Sequence, residues 1–181
     1  MQKGCQSTGK RKRNLKPKTV LNRWRKLCQE VKKDKTRRKT PGRKAAKELA
    51  ALCGMRSMLE VEVATNLDKN KIKWEYESTM FEYHLCPRWS GNFDRDCGVK
   101  TSQYTPDFYL PERKIYLEVK GKLTLADRKK MVAVKLHNPD KEICMVFGAS
   151  NNKLYARKNS TRYWQWAEKE GFFWYGRGVN I

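Results

Sequence analysis

Residues 104–121 read Tyr104-Thr105-Pro106-Asp107-Phe108-Tyr109-Leu110-Pro111-Glu112-Arg113-Lys114-Ile115-Tyr116-Leu117-Glu118-Val119-Lys120-Gly121. Two apolar-rich runs flank Pro111–Lys114, whose residue types suit a turn, so the stretch is expected to fold as a β-hairpin. Setting Leu110 opposite Ile115 pairs Tyr109 with Tyr116, Phe108 with Leu117 and Asp107 with Glu118. Side chains alternate across a sheet. Phe108, Leu110, Ile115, Leu117 and Val119 therefore share one apolar face, suited to a core, while Asp107, Tyr109, Tyr116, Glu118 and Lys120 share the other. The register that buries the hydrophobes thus forces two carboxylates into opposition, with a lysine close by.

Like charges opposed on paired strands cost up to about 1 kcal/mol. A cation between them reverses that sign. Hard carboxylate oxygens favour Mg²⁺ or Mn²⁺, an ion that keeps several waters and completes its shell with substrate phosphate. Such an ion polarises a phosphate and brings a bound water into nucleophilic range. Lys120 is placed to orient that water or to neutralise charge developing on the phosphate. A surface hairpin in which Lys120 merely balances Glu118 would carry the same residues, and Glu-Val-Lys alone is a weak signal.

Downstream of the hairpin, Thr124 with Asp127 forms a capping-box-like start for a helix to about His137, ended by Asn138-Pro139. Glu142–Phe147 reads as a buried strand, Lys153–Ala156 as a short one, and Ser160–Glu170 as a helix closed by Gly171. Upstream lie a polar, insertion-like loop at about 84–103 and a strand over Ile72–Glu77. Residues 55–70 fit either period: Leu59, Val61 and Val63 alternate, while Leu59, Val63 and Leu67 are spaced for a helix. The helix is preferred because Asn70 reads as its stop. Thr40, Pro41 and Gly54 bracket another helix with Ala45, Leu49, Leu52 and Cys53 as its stripe. Thr19 opens a first one carrying Leu21, Trp24, Cys28 and Val31, after a basic, flexible beginning. The organisation is a basic N-terminal extension over 1–54 with two helices, then a core over 55–181. Mixed strands and helices make the class α/β or α+β.

Charge is the strongest compositional signal. The 181 residues include 41 Lys and Arg against 19 Asp and Glu, a net +22. Residues 1–47 hold 19 of the cations against Glu30 and Asp34, giving +17, and the remainder carries only +5. An arm this basic implies a polyanionic partner, because each phosphate neutralised releases a condensed counterion. Lys10, Arg11, Lys12, Arg13, Arg23, Arg25, Lys26, Arg37, Arg38 and Lys39 are its candidate DNA contacts. A membrane surface fits less well, since the arm has no broad apolar face to insert. Arg128, Lys129 and Lys130, early in their helix, suit phosphate equally with a plain solvated face.

Other features carry less. No apolar run reaches the length of a membrane span and no signal-peptide core is present, so the chain is expected to stay in the cytoplasm where it is made. The six cysteines lack a repeated spacing and read as thiols rather than disulfides. Cys86, Cys97 and His84 could be imagined around zinc, but the spacing is not that of a knuckle and a fourth ligand is missing. Neither His84 nor His137 sits in a motif. Trp164 and Trp166 lie beside Arg162 and Tyr163, where base stacking competes with a favoured core role. No Gly-rich phosphate loop is present, so no nucleotide cofactor is expected.

Pro106-Asp107 followed by Glu118-Val119-Lys120 resembles the PD-(D/E)xK signature of restriction-endonuclease-like nucleases. More closely, the order of segments resembles endonuclease I of the T-odd phages, the Holliday-junction-resolving enzymes. The matching pieces are Arg56-Ser57 with Leu59-Glu60, Trp74-Glu75-Tyr76-Glu77, Tyr104–Phe108, Glu118 with Lys120-Gly121, Asp127–Lys130, Val146-Phe147 and Lys153-Leu154-Tyr155, spanning about 55–171. The resemblance implies an α/β fold, a mixed sheet flanked by helices. It also implies that Asp107 and Glu118 ligate the metal, that Lys120 assists catalysis, and that Glu60 is a further metal-site carboxylate. It implies an intertwined homodimer too, whose two sites cut opposed strands and in which Glu60 comes from the partner chain. The chain departs from the family in its long extension and in the longer loop between Tyr83 and Tyr104, which puts the natural DNA substrate in question.

These expectations converge on a Mg²⁺-dependent DNA endonuclease acting on branched DNA, in the host cytoplasm if phage-encoded. Two alternatives stay open: a sequence-specific homing or transposon-end endonuclease of the same fold, and a non-catalytic basic DNA-binding protein.

Overall fold

The computed structural model describes residues 43–85 and 100–177. The Thr19 helix, the Thr40-Pro41 cap, the cations Lys10 to Lys39 and the pair Cys86 and Cys97 lie outside the described residues.

Helix α1 (Arg43–Leu52) leads into Gly54, whose φ of 77° turns the chain as an L side chain could not cheaply do. Its buried side is Ala50, with Cys53 just beyond, whereas Leu52, expected on the apolar stripe, is exposed. Helix α2 (Met58–Lys69) settles the ambiguous stretch in favour of the helix, ending at Asn70. Ser57 caps it, its hydroxyl accepting from Glu60 N and donating to Glu60 Oε1.

Five strands form the main sheet in the order β1-β4-β5-β6-β7. Strand β1 (Glu75–Tyr76) is shorter than expected: only these two residues pair with the next strand of the sheet, and Glu77, at φ 46°, turns the chain away directly after them. Strands β2 (Phe81–Leu85) and β3 (Lys100–Tyr104) form a separate antiparallel ribbon from the two ends of what read as a loop. Strands β4 (Phe108–Leu110) and β5 (Ile115–Lys120) are the hairpin, paired Phe108 with Leu117, Tyr109 with Tyr116 and Leu110 with Ile115, as the sequence predicts. Helix α3 (Leu125–His137) carries the full Thr124/Asp127 capping box. It returns the chain to β6 (Glu142–Phe147), which runs parallel to β5.

The next segment departs from expectation. Lys153 makes only an isolated bridge to Arg162, and the expected strand over 153–156 does not form. Leu154 N instead donates to Thr161 O and Tyr155 N to Ser160 Oγ, which closes a compact loop. Those bonds also occupy Ser160 and Thr161, so helix α4 (Tyr163–Lys169) starts later than expected, with Gly171 turning at φ 71° after it. Strand β7 (Phe173–Tyr175), not foreseen in the sequence, adds a parallel edge to β6.

The sheet is buried on both faces. One face packs Phe108, Leu117, Val119, Cys144 and Val146 against α1 and α2 through Ala50, Val63, Ala64 and Leu67. The other packs Tyr116, Met145 and Phe147 against Met131 and Val134 of α3, Trp166 of α4, and the ribbon's Phe81 and Tyr104. The polar face of the hairpin is therefore covered too, which puts Glu118 in the interior. This is an α/β restriction-endonuclease-like core with a mixed sheet flanked by helices. Among the described residues no helix is long and apolar enough to cross a membrane.

Candidate active site

The carboxylates collect where β4 begins and β5 ends. Asp107 directly precedes β4, its carbonyl accepting from Glu77 N at 3.0 Å. Its Oδ2 accepts from Val119 N of the neighbouring strand at 2.7 Å, so backbone of both flanking elements fixes it. Glu118, only 3% exposed, sits within β5. Its Oε2 accepts from Tyr104 OH at 2.6 Å and its Oε1 pairs with Lys120 Nζ at 2.8 Å. Lys120 Nζ lies 3.5 Å from Asp127 Oδ1, which ties the site to the first turn of α3. Glu60 approaches from α2, its Oε2 accepting from Tyr76 OH at 2.6 Å and from Arg56 N at 3.0 Å, its Oε1 from Ser57 Oγ at 2.7 Å.

Burial makes this arrangement electrostatically expensive. Desolvation, then the nearby charge of Glu118, push the Asp107 carboxyl well above the usual carboxylate range. The Val119 bond pulls the other way, and Glu60 adds to the rise. Burial alone would lower the Lys120 ammonium, but Glu118 and Asp127 outweigh it and the net shift is upward. Tyr104 is held well above its ordinary value by burial and by Glu118, so it stays a hydrogen-bond donor. Tyr76 is raised in the same way, by burial and by Glu60.

A sequence model of the family described as phage endonuclease I matches residues 42–179. The chain belongs to the phage endonuclease I family. It is 35% identical over 116 residues to endodeoxyribonuclease 1 of Enterobacteria phage T3, covering 64% of this chain and 67% of the relative. It is 33% identical over 126 residues to endonuclease I of Escherichia phage T7, covering 70% of this chain and 75% of the relative.

Within this family member, Asp107, Glu118 and Lys120 lie together, as the hairpin register required. Glu60 is near enough to act on the charge of Asp107. Both its oxygens are nonetheless engaged by its own helix cap and Tyr76, and among the described residues no three His, Cys, Asp or Glu side chains group closely enough to hold one ion together. The hard oxygens of Asp107 and Glu118 suit Mg²⁺ or Mn²⁺, which needs only one or two carboxylates beside water and phosphate. Of the candidate DNA contacts, Arg128 reaches Tyr155 and Lys130 lies over the Tyr104 ring at 5.2 Å, while Lys129 is half-buried. Trp166 is core, and Trp164 packs near Trp174. His84 and His137 meet edge to face with centroids 4.7 Å apart.

Sequence reading gave no role to Tyr76 and Tyr104, each of which donates to a site carboxylate. The available signal was a tyrosine at the mouth of the hairpin, at a position the structure buries. Asp127 was legible as a cap but not as a partner of Lys120.

Proposed function

We propose that this protein is a DNA endonuclease that hydrolyses phosphodiester bonds with Mg²⁺ or Mn²⁺, selectively at branched DNA such as four-way junctions. The observation that carries the reading is the buried Asp107–Glu118 pair beside Lys120, on a chain whose family relatives are named as DNA endonucleases. Burial and the neighbouring Glu118 make the Asp107 carboxylate costly to charge, and a divalent cation between the two relieves that cost.

Asp107 and Glu118 would hold the ion, which when bound polarises the phosphate and supplies an activated water. The remaining work belongs to the chain. Val119 N and Tyr104 OH each take one lone pair of a carboxylate, fixing the direction in which the other oxygens point. Lys120, kept an ammonium by Glu118 and Asp127, donates to the negative charge that grows as the phosphodiester is attacked and its sugar oxygen leaves. Glu60 adds negative potential at Asp107 and makes cation capture more favourable. The basic arm and the cations of α3 hold the strand electrostatically. Paired cuts at a junction would come from a homodimer with one site per opposed strand, working in the host cytoplasm; the family resemblance supports this part.

The test is cleavage with Mg²⁺ of a four-way junction beside a linear duplex of the same arm sequence, with Glu118→Gln as control. Junction cutting that the variant loses is expected. Cutting of neither substrate, or cutting indifferent to the substitution, would remove the reading.

A further inference from the structure

We propose that the loop between β6 and α4, residues 149–162, is a nucleic-acid-reading finger whose Tyr155 stacks on an unpaired DNA base beside the site. The inference rests on the endonuclease reading and specifies how such an enzyme recognises DNA whose stacking is interrupted.

Three observations carry it. The loop holds Lys153, Arg157, Lys158 and Arg162 and no acidic residue. Such an uninterrupted positive stretch is complementary to a phosphate strand. It is also built rather than slack. Leu154 N donates to Thr161 O at 2.8 Å, Tyr155 N to Ser160 Oγ at 2.9 Å, Lys153 Nζ to Lys158 O at 2.9 Å and Arg162 Nη1 to Asn151 O at 2.8 Å. Finally, Tyr155 is 54% exposed although Leu154 beside it packs on the core, so the loop turns an aromatic ring outward.

The ring is aimed relative to the site by a continuous set of contacts. The Arg128 guanidinium lies 5.2 Å from the Tyr155 ring centroid and its Nη2 donates to the Tyr155 hydroxyl at 3.1 Å. Arg128 follows Asp127, which pairs with Lys120. Gly148 N donates to Lys120 O at 3.1 Å, so the loop also starts against the end of β5. An exposed ring held by a cation is a stacking platform of the kind that single strands use, and stacking tolerates any base because every base has a π-face. In continuous duplex each base face is covered by its neighbours. The ring therefore has a partner only at a bulge, mismatch or branch, while the cations hold either form.

Affinity of the full chain, measured in EDTA for a paired duplex and for the same duplex with a short unpaired bulge, tests this. 2-Aminopurine in the bulge reports stacking. The wild type is expected to prefer the bulged duplex and to quench the probe. Tyr155→Leu should lower that preference by about tenfold, the loss of one base–aromatic stack, and leave the probe bright. Tyr155→Phe, which keeps the ring, should retain preference and quenching. A wild type without preference, a leucine variant that keeps preference and quenching, or a phenylalanine variant as defective as leucine would each overturn the proposal. If the wild type cuts DNA with Mg²⁺ in those cases, only the finger is lost. If it neither binds nor cuts any of these DNAs, the endonuclease reading falls as well.

Discussion

The Asp107 carboxyl is where one residue's chemistry reaches the stability of the whole chain. Its proton is held more tightly when folded than at the ordinary value of 3.8, through burial and then Glu118. The folded state therefore takes up a proton that the unfolded state has released, and this favours folding at low pH. That support declines as pH rises from 3.8 through the raised folded value, and above it the charged carboxylate opposes folding. Asp107→Asn, which keeps an oxygen for Val119 N but no charge, should raise the metal-free Tm at pH 8 by about 2 °C or more, the shift of roughly 1 kcal/mol in a chain this long. At pH 4 the gain should nearly vanish. Thermal unfolding in EDTA across that range measures it, and a variant less stable than wild type at pH 8 would refute the electrostatic account. Mg²⁺ should then raise the wild-type Tm and not the variant's, while the variant loses cleavage. Tyr104→Phe works in the opposite direction. It leaves Glu118 Oε2 buried without its 2.6 Å donor, and urea titration should show a loss of about 1–3 kcal/mol.

Among the elements, the start of α3 couples folding to the site. Asp127 closes the capping box with Thr124 and also faces Lys120. Although desolvation would raise it, the Thr124 bonds and Lys120 hold its carboxyl below the usual range. Thr124→Ala should cost about 1 kcal/mol of stability, as a lost cap does. Asp127→Asn retains an oxygen for the Thr124 donors but removes the charge opposite Lys120. It should lower the cleavage rate by roughly twofold, in line with a partly screened ion pair, with smaller effect on the unfolding midpoint. Equal stability losses with no change in rate would confine Asp127 to capping. Both α3 and the hairpin were legible in the sequence because local rules determine them: a cap signature, a turn between alternating runs, and one register that buries all the hydrophobes. Strand β7 and the shortness of β1 were not legible, since partners distant in sequence and the positive φ of Glu77 decide them. The site divides along the same line. Asp107, Glu118 and Lys120 follow from the register, whereas the donors Tyr76 and Tyr104 emerge only when separate elements close over the sheet. Glu60 was named through family resemblance, because one glutamate on an amphipathic helix carries no signal of its own.

For the molecule as a whole, the distribution of charge separates holding DNA from cutting it. Residues 48–181 carry a net charge of only +5, and the pair that would bind the ion is itself negative. Such a core gains little from a polyanion at long range. Residues 1–40 hold 16 cations against Glu30 and Asp34 and precede the family match, which begins at residue 42. If this arm lies along the phosphate backbone, each contact releases a counterion, and the logarithm of affinity falls with the logarithm of salt by about 0.9 per phosphate. Deleting residues 1–40 should therefore flatten that slope by several units and weaken binding most at low salt. Cleavage at saturating DNA should change far less, because Asp107, Glu118, Lys120 and the helices packed on the sheet are all retained. Filter binding across a salt series, beside single-turnover cleavage, separates the two effects. A deletion that leaves slope and affinity as they were would mean that the arm does not touch DNA, and one that abolishes cleavage at saturation would mean that it helps to build the site.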